Sequence, residues 1–153
     1  MKDLGDPHVV ADLVSRLERL TPDAVRRWGT LTPGEMLCHL SDAARRVLNA
    51  SARAGRGPPR PRPLYKFLAL YSPVPWPKGK IKTRPEVDPR VGGTRPGRFE
   101  EDRAAAIAGV RGLAAAPPDV FPPSHFMFGR MSAADWRRWG YLHTDYHLRQ
   151  FGF

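Results

Sequence analysis

The sequence predicts an all-α domain, a four-helix bundle in which a long proline-rich crossover joins the second and third long helices. Three observations carry this. Four segments place apolar residues at helical period. Three of them open on capping chemistry. Of the 17 prolines, ten (Pro58, Pro59, Pro61, Pro63, Pro73, Pro75, Pro77, Pro85, Pro89 and Pro96) lie together between Gly57 and Gly97, which keeps breakers out of the helical segments. An irregular all-α domain is the alternative.

The first helix opens at Asp6-Pro7, an N-cap followed by proline at the first helical position, and puts Val9, Val10, Leu13, Val14, Leu17 and Leu20 on one stripe. The second opens at Thr32-Pro33-Gly34-Glu35, a capping box, and is expected to run to about Ala54-Gly55. Its apolar arc is Met36, Leu37, Leu40, Ala43, Ala44, Val47 and Leu48. Within the crossover only Leu64 to Tyr71 suits a short helix. Leu64, Phe67, Leu68, Leu70, Tyr71, Val74 and Trp76 are too apolar for a solvated linker, so the crossover is expected to pack on the bundle. The third long helix spans about Arg98 to Ala115 and stops before Pro117-Pro118. The last begins at Ser132, where S-A-A-D forms a second capping box, and continues to about Gln150. At about 100° per residue, Trp136, Trp139, Gly140, His143, Tyr146, His147 and Gln150 share its inward side, opposite Arg137, Arg138, Asp145 and Arg149.

A chain of 153 residues with 41% hydrophobic and 26% charged residues is globular in composition and fits one domain, 1–153. The N-terminus lacks the apolar run of a secretory signal and no window approaches the ~20 apolar residues of a membrane span, so a cytoplasmic protein without a membrane partner is expected. Cys38 is the only cysteine, which excludes an intrachain disulfide and a cysteine-rich zinc site. The formal charge of +10 raises nucleic acid as a partner, but the excess is mostly arginine and is scattered from Arg16 to Arg149.

His143 and His147 are four apart on the last helix, so their side chains share a face about 5–6 Å apart and can chelate one cation, with a third ligand needed from a facing helix. His39, at the edge of the second helix's apolar arc beside Glu35, Asp42 and Arg46, is the natural candidate. The bland alternative is a histidine pair that only hydrogen-bonds to its neighbours. Cys38 faces away from the apolar arc and reads as structural.

The run from Trp28 to Asn49 containing L-T-P-G-E-M-L-C-H-L-S-D-A resembles the second-helix signature of the DinB/YfiT-like superfamily of metal-dependent bundle proteins. H-F-M-F-G-R-M-S-A-A-D-W and H-T-D-Y-H-L-R-Q-F-G resemble its last-helix signature, and P-W-P-K-G-K-I-K-T resembles the crossover of one uncharacterised branch. The resemblance implies an up-up-down-down four-helix bundle. It also implies a divalent transition metal, such as zinc, nickel or iron, held by His39, His143 and His147. Where that branch often carries two adjacent histidines, this chain has Tyr146 before His147. His125, in the turn before the last helix, matches a position often histidine in the branch and is the candidate for a proton-shuttling or supporting catalytic role; the alternative is a loop residue hydrogen-bonded to backbone.

Three neutral imidazoles leave a metal position open for water or a thiolate. The superfamily includes transferases and isomerases that use low-molecular-weight thiols, so the resemblance implies either a hydrolase or a thiol S-transferase acting on a small-molecule substrate. For an anionic thiol cofactor, Arg46 and Arg53 are the candidate binders through bidentate pairing; the alternative is a solvated helix face. The competing function is a non-catalytic basic module that contacts nucleic acid or another polyanion. It would use Lys66, Lys78, Lys80 and Lys82 with Tyr65 and Trp76 among them. Oligomeric state is left open, a homodimer included.

Overall fold

The computed structural model describes residues 1–49 and 63–153. Five helices follow in order: α1 Pro7–Glu18, α2 Pro33–Leu48, α3 Pro63–Leu70, α4 Phe99–Ala115 and α5 Ala133–Arg149. Single turns of 3-10 helix lie at Pro85–Val87 and Pro118–Val120. The only strands among the described residues are β1 Ser124–His125 and β2 Gly129–Arg130, an antiparallel pair with Ser124 opposite Arg130 and His125 opposite Gly129. The chain is therefore all-α. None of its described helices is long and apolar enough to cross a membrane.

The helix starts follow the capping residues. The Asp6 side chain accepts from the backbone N–H of His8, and both boxes close reciprocally: Thr32 with Glu35, and Ser132 with Asp135. Each box is also tied outward. Arg90 from the crossover bonds both oxygens of Glu35, and this guanidinium holds the Glu35 carboxyl down to about 2. Asp135 accepts from Tyr71 Oη and, at 3.0 Å, from Lys66 Nζ, which pins α3 onto the start of α5. α2 ends at Leu48 with Asn49 as its C-cap; the predicted extension to Ala54-Gly55 falls outside the described residues.

Pair contacts give the helix directions. Arg103, early in α4, donates to the carbonyls of Glu18 and Leu20 at the end of α1, so α1 and α4 are antiparallel. Arg137 near the start of α5 donates to the carbonyl of Ala116 just past the end of α4, so these two are antiparallel as well. Along α2 and α4, Ala44 lies against Gly109 and Leu48 against Gly112, a parallel pair. Likewise Leu4 bonds Arg137 and Arg16 bonds Asp145, so α1 runs parallel to α5. The four long helices therefore run up, down, down, up. This corrects the up-up-down-down expectation. The connection between α1 and α2, residues 19–32, reverses the chain, and the long crossover carries it back along the length of α2, so that α4 starts from the same end.

The apolar stripes form the core as expected, with Leu13, Leu17, Leu20, Met36 and Leu37 fully buried. Two polar faces are covered as well. Cys38 is buried and near Asp102, and Asp42 is buried under the crossover, accepting from the N–H (2.6 Å) and Oγ1 (2.8 Å) of Thr94. On α5, Asp145 is buried between Arg16 and Arg149. The crossover packs only in part: Leu70 is 0% exposed and Trp76 donates to the carbonyl of Ala69, but Leu64, Phe67, Leu68 and Val74 are exposed. Leu70 and Tyr71 take the α3 face turned to α5, so the remaining apolar side chains of this short helix project outward.

The tightest helix contact is at Gly109, where an added Cβ would lie 2.9 Å from the Cβ of Ala44. Both atoms would sit on rigid helices, so neither can swing aside. Gly109→Val is expected to lower stability by about 1–3 kcal/mol through overpacking, despite removing a helix glycine. A chemical-denaturation midpoint equal to that of the wild type would contradict this packing.

Candidate metal centre

α2 presents His39 and α5 presents His143 and His147 to one another, with His39 and His147 buried and His143 half-buried. Among the described residues these three form the one group of potential ligands, with one ligand atom from each all within 4.8 Å of one another. Nitrogens around a tetrahedral zinc, with Zn–N bonds of about 2.0–2.1 Å, are about 3.3 Å apart, so the widest-spaced nitrogens need to draw in by at most about 1.5 Å. The ring centroids are 4.7–4.9 Å apart and the planes cross at 61–87°, so the rings are not stacked face to face.

The outer nitrogens settle which atoms face inward. His39 Nδ1 lies 2.8 Å from the carbonyl oxygen of Val87, in the 3-10 turn of the crossover. A carbonyl only accepts, so Nδ1 carries the proton and Nε2 keeps its lone pair. His147 Nδ1 lies 2.8 Å from Oε1 of Gln150, one turn further along α5. His39 Nε2 and His143 Nε2 are 3.0 Å apart. Without a cation between them, His143 donates this bond, because the only proton on His39 is already at Val87. Trp139 stacks on the His143 ring at 4.8 Å and 12°, holding its plane.

Electrostatics favour neutral rings. Burial lowers His39, with the Val87 carbonyl opposing it. It pushes His143 well below the ordinary histidine value, helped by His147 and His39, and brings His147 down to about 3. Deprotonated imidazoles are what a metal requires. No carboxylate joins the group, so the donor set is three neutral nitrogens.

His125 stands at the end of β1, stacked on Phe128 at 4.4 Å and edge-on to Trp136, and its Nδ1 accepts from the N–H of Met127 at 3.2 Å. Burial, with Arg84 nearby, lowers it to about 4. Its ring is 6.0 Å from Trp139, which itself lies against His143, so His125 is one aromatic ring away from the three histidines. Tyr146 packs between Trp28 (4.6 Å) and Trp76 (5.7 Å) and donates to the carbonyl of Pro77, fastening the crossover beside His147.

Arg46 lines an open groove of ≈ 490 Å³ with Asp42, Arg45, Asn49 and Glu86, and none of the three histidines lines it. Arg53 lies outside the described residues. Lys66 is engaged with Asp135 and the carbonyl of Arg130, whereas Lys78, Lys80 and Lys82 are exposed.

Sequence reasoning missed the two acceptors that orient the ligands. Gln150 was legible, three residues after His147 on the inward side of the helix. The Val87 carbonyl was not, because a main-chain group leaves no residue signature. No family model matches the chain, and no curated protein or solved structure was found to match it.

The depressed histidines give a pH prediction for the metal-free protein. The unfolded chain takes up protons near pH 6.5, while folded His125 and His147 stay neutral down to about 4 and about 3. Between those values the unfolded state binds more protons, so stability falls as pH falls below about 6.5 and is insensitive to these groups above it. Melting temperatures measured between about pH 8 and 4 test this, and a midpoint that rises on acidification would contradict it.

Proposed function

We propose that this chain is a metal-dependent enzyme of the DinB/YfiT-like kind, a four-helix bundle in which His39, His143 and His147 hold one divalent transition metal. Its reaction is hydrolysis or transfer of a low-molecular-weight thiol, on a small-molecule substrate. The observation that carries this reading is the pair of outer acceptors, the Val87 carbonyl and Gln150 Oε1, which turn the Nε2 atoms of His39 and His147 toward His143. A histidine cluster that served only to fill the core would have no need of lone pairs converging on one point.

When bound, a divalent metal here supplies a Lewis-acidic open position at which water or a thiol loses its proton near neutral pH. The chain's own groups do the rest. The three rings bring no negative charge, so the site favours an anionic ligand. Trp139 keeps His143 in plane, and the aromatic wall around it limits water on that side. His125, beyond Trp139, accepts from Met127 at Nδ1 and so carries its ring proton on Nε2, from which it can donate. Arg46 serves only a ligand long enough to reach the groove beside the turn that holds His39.

The basic-module reading has less support. Of its aromatic residues, Trp76 is committed to Ala69 and Tyr146, and of its cations Lys66 is paired with Asp135.

Protein purified without a polyhistidine tag is expected to carry about one equivalent of a transition metal. His143→Ala is expected to weaken binding more than about tenfold, with His125→Ala retaining it. Full stoichiometry in His143→Ala would remove the assignment. A panel of thiol-transfer and hydrolysis substrates, assayed with and without added metal, separates the two reaction types. Tight, salt-sensitive nucleic-acid binding without metal-dependent turnover would favour the basic module instead.

A further inference from the structure

We propose that Gln150 is a positioning residue of the histidine site: its amide oxygen holds the His147 proton on Nδ1 and so commits Nε2 to the metal. The inference rests on the metal reading above and extends it to a residue outside the ligand set.

A buried neutral imidazole has one ring proton and two places to carry it. For His39 the choice is forced, because its outer partner is a main-chain carbonyl. For His147 the outer partner is a carboxamide, which can accept through oxygen or donate through nitrogen. With oxygen toward Nδ1, Nε2 has a free lone pair. With nitrogen toward Nδ1, the proton must sit on Nε2, and the third ligand is lost. The orientation of one amide therefore decides whether the site has three donors or two.

The surroundings of Gln150 fix its backbone and enclose its side chain. Its side chain is buried, with the residue 6% exposed. Its backbone is fixed on both sides: the N–H donates to the carbonyl of His147 at 3.1 Å, and the carbonyl accepts from the N–H of Arg27 at 2.6 Å. The amide nitrogen faces Gly29, where φ is 84° and an added Cβ would stand 2.5 Å from it. Glycine at 29 thus serves twice, adopting a left-handed backbone and leaving the space that the amide occupies. The loop before α2 closes over Gln150, and α2 then carries His39 to the same site. Outer acceptors of this kind raise ligand basicity and set the ring angle, and their loss typically costs about 10–100-fold in metal affinity.

The test uses the full chain and zinc alone. In metal-free wild type, nitrogen-15 chemical shifts of the imidazoles are expected to show His147 protonated at Nδ1. Gln150→Met keeps the shape and removes the acceptor; it is expected to lose that tautomer preference and to bind zinc about 10–100-fold more weakly in competition with a chromophoric chelator. Gln150→Glu restores an acceptor and is expected to keep the Nδ1 proton and to bind zinc more tightly than Gln150→Met, a rescue that a merely structural role would not predict. His147 protonated at Nε2 in the wild type would overturn the proposal, as would Gln150→Met with unchanged zinc affinity. A wild type that takes up no zinc fails the metal reading, and the tautomer in the metal-free protein then decides the role of Gln150 by itself.

Discussion

Three imidazoles, two buried and one half-buried, face one another, and that is tolerable only if none is charged and each ring proton finds an acceptor. Two charged imidazoles less than 5 Å apart and largely shielded from solvent would repel, so burial and their mutual proximity push all three toward the neutral form. The acceptors then become structural requirements. Val87 must reach His39 from the crossover and Gln150 must reach His147 from the end of α5. Their direction leaves the inner nitrogens facing one another. The site is therefore a property of α2, α5 and the crossover together, and no single helix carries it.

The crossover is held accordingly. Around the turn that supplies Val87, Arg90 grips Glu35 at the start of α2, and Thr94 satisfies both oxygens of Asp42 one turn past His39. At Gly93 a side chain would run into the backbone of Val87 and Asp88 at 2.9 Å, so glycine there lets the chain fold back tightly. These contacts explain why α2 is buried nearly all round. Its apolar arc faces the core, and its polar arc, from His39 to Asp42, is the floor on which the crossover rests. A helical-wheel reading, which assigns polar residues to solvent, misplaces Asp42 for this reason; Cys38, on the same arc, is covered through its neighbour Asp102 on α4.

Much of the fold was legible because it is written in local chemistry. Asp6-Pro7, Thr32 with Glu35, and Ser132 with Asp135 each mark a helix start that the structure reproduces, and the i, i+4 histidines fall on one face because helix geometry puts them there. Helix direction was not legible in the motifs or in the connection lengths. The connection between α1 and α2, residues 19–32, is long enough to join the helices in either direction, so their relative direction shows only in the contacts between the helices. The burial of Asp145 was not legible, since it depends on Arg16 from α1. Nor were the outward positions of Leu64, Phe67 and Leu68, because composition does not say which face of a short helix finds a partner.

The central claim is that three imidazoles from two helices bind one metal through their inner nitrogens. X-ray absorption spectroscopy on untagged protein loaded with one equivalent of zinc tests it most directly. The account predicts three imidazole nitrogens at about 2.0–2.1 Å, with one further light or sulfur ligand completing the shell. A shell with fewer than three imidazoles, or one made of oxygen alone, would contradict it.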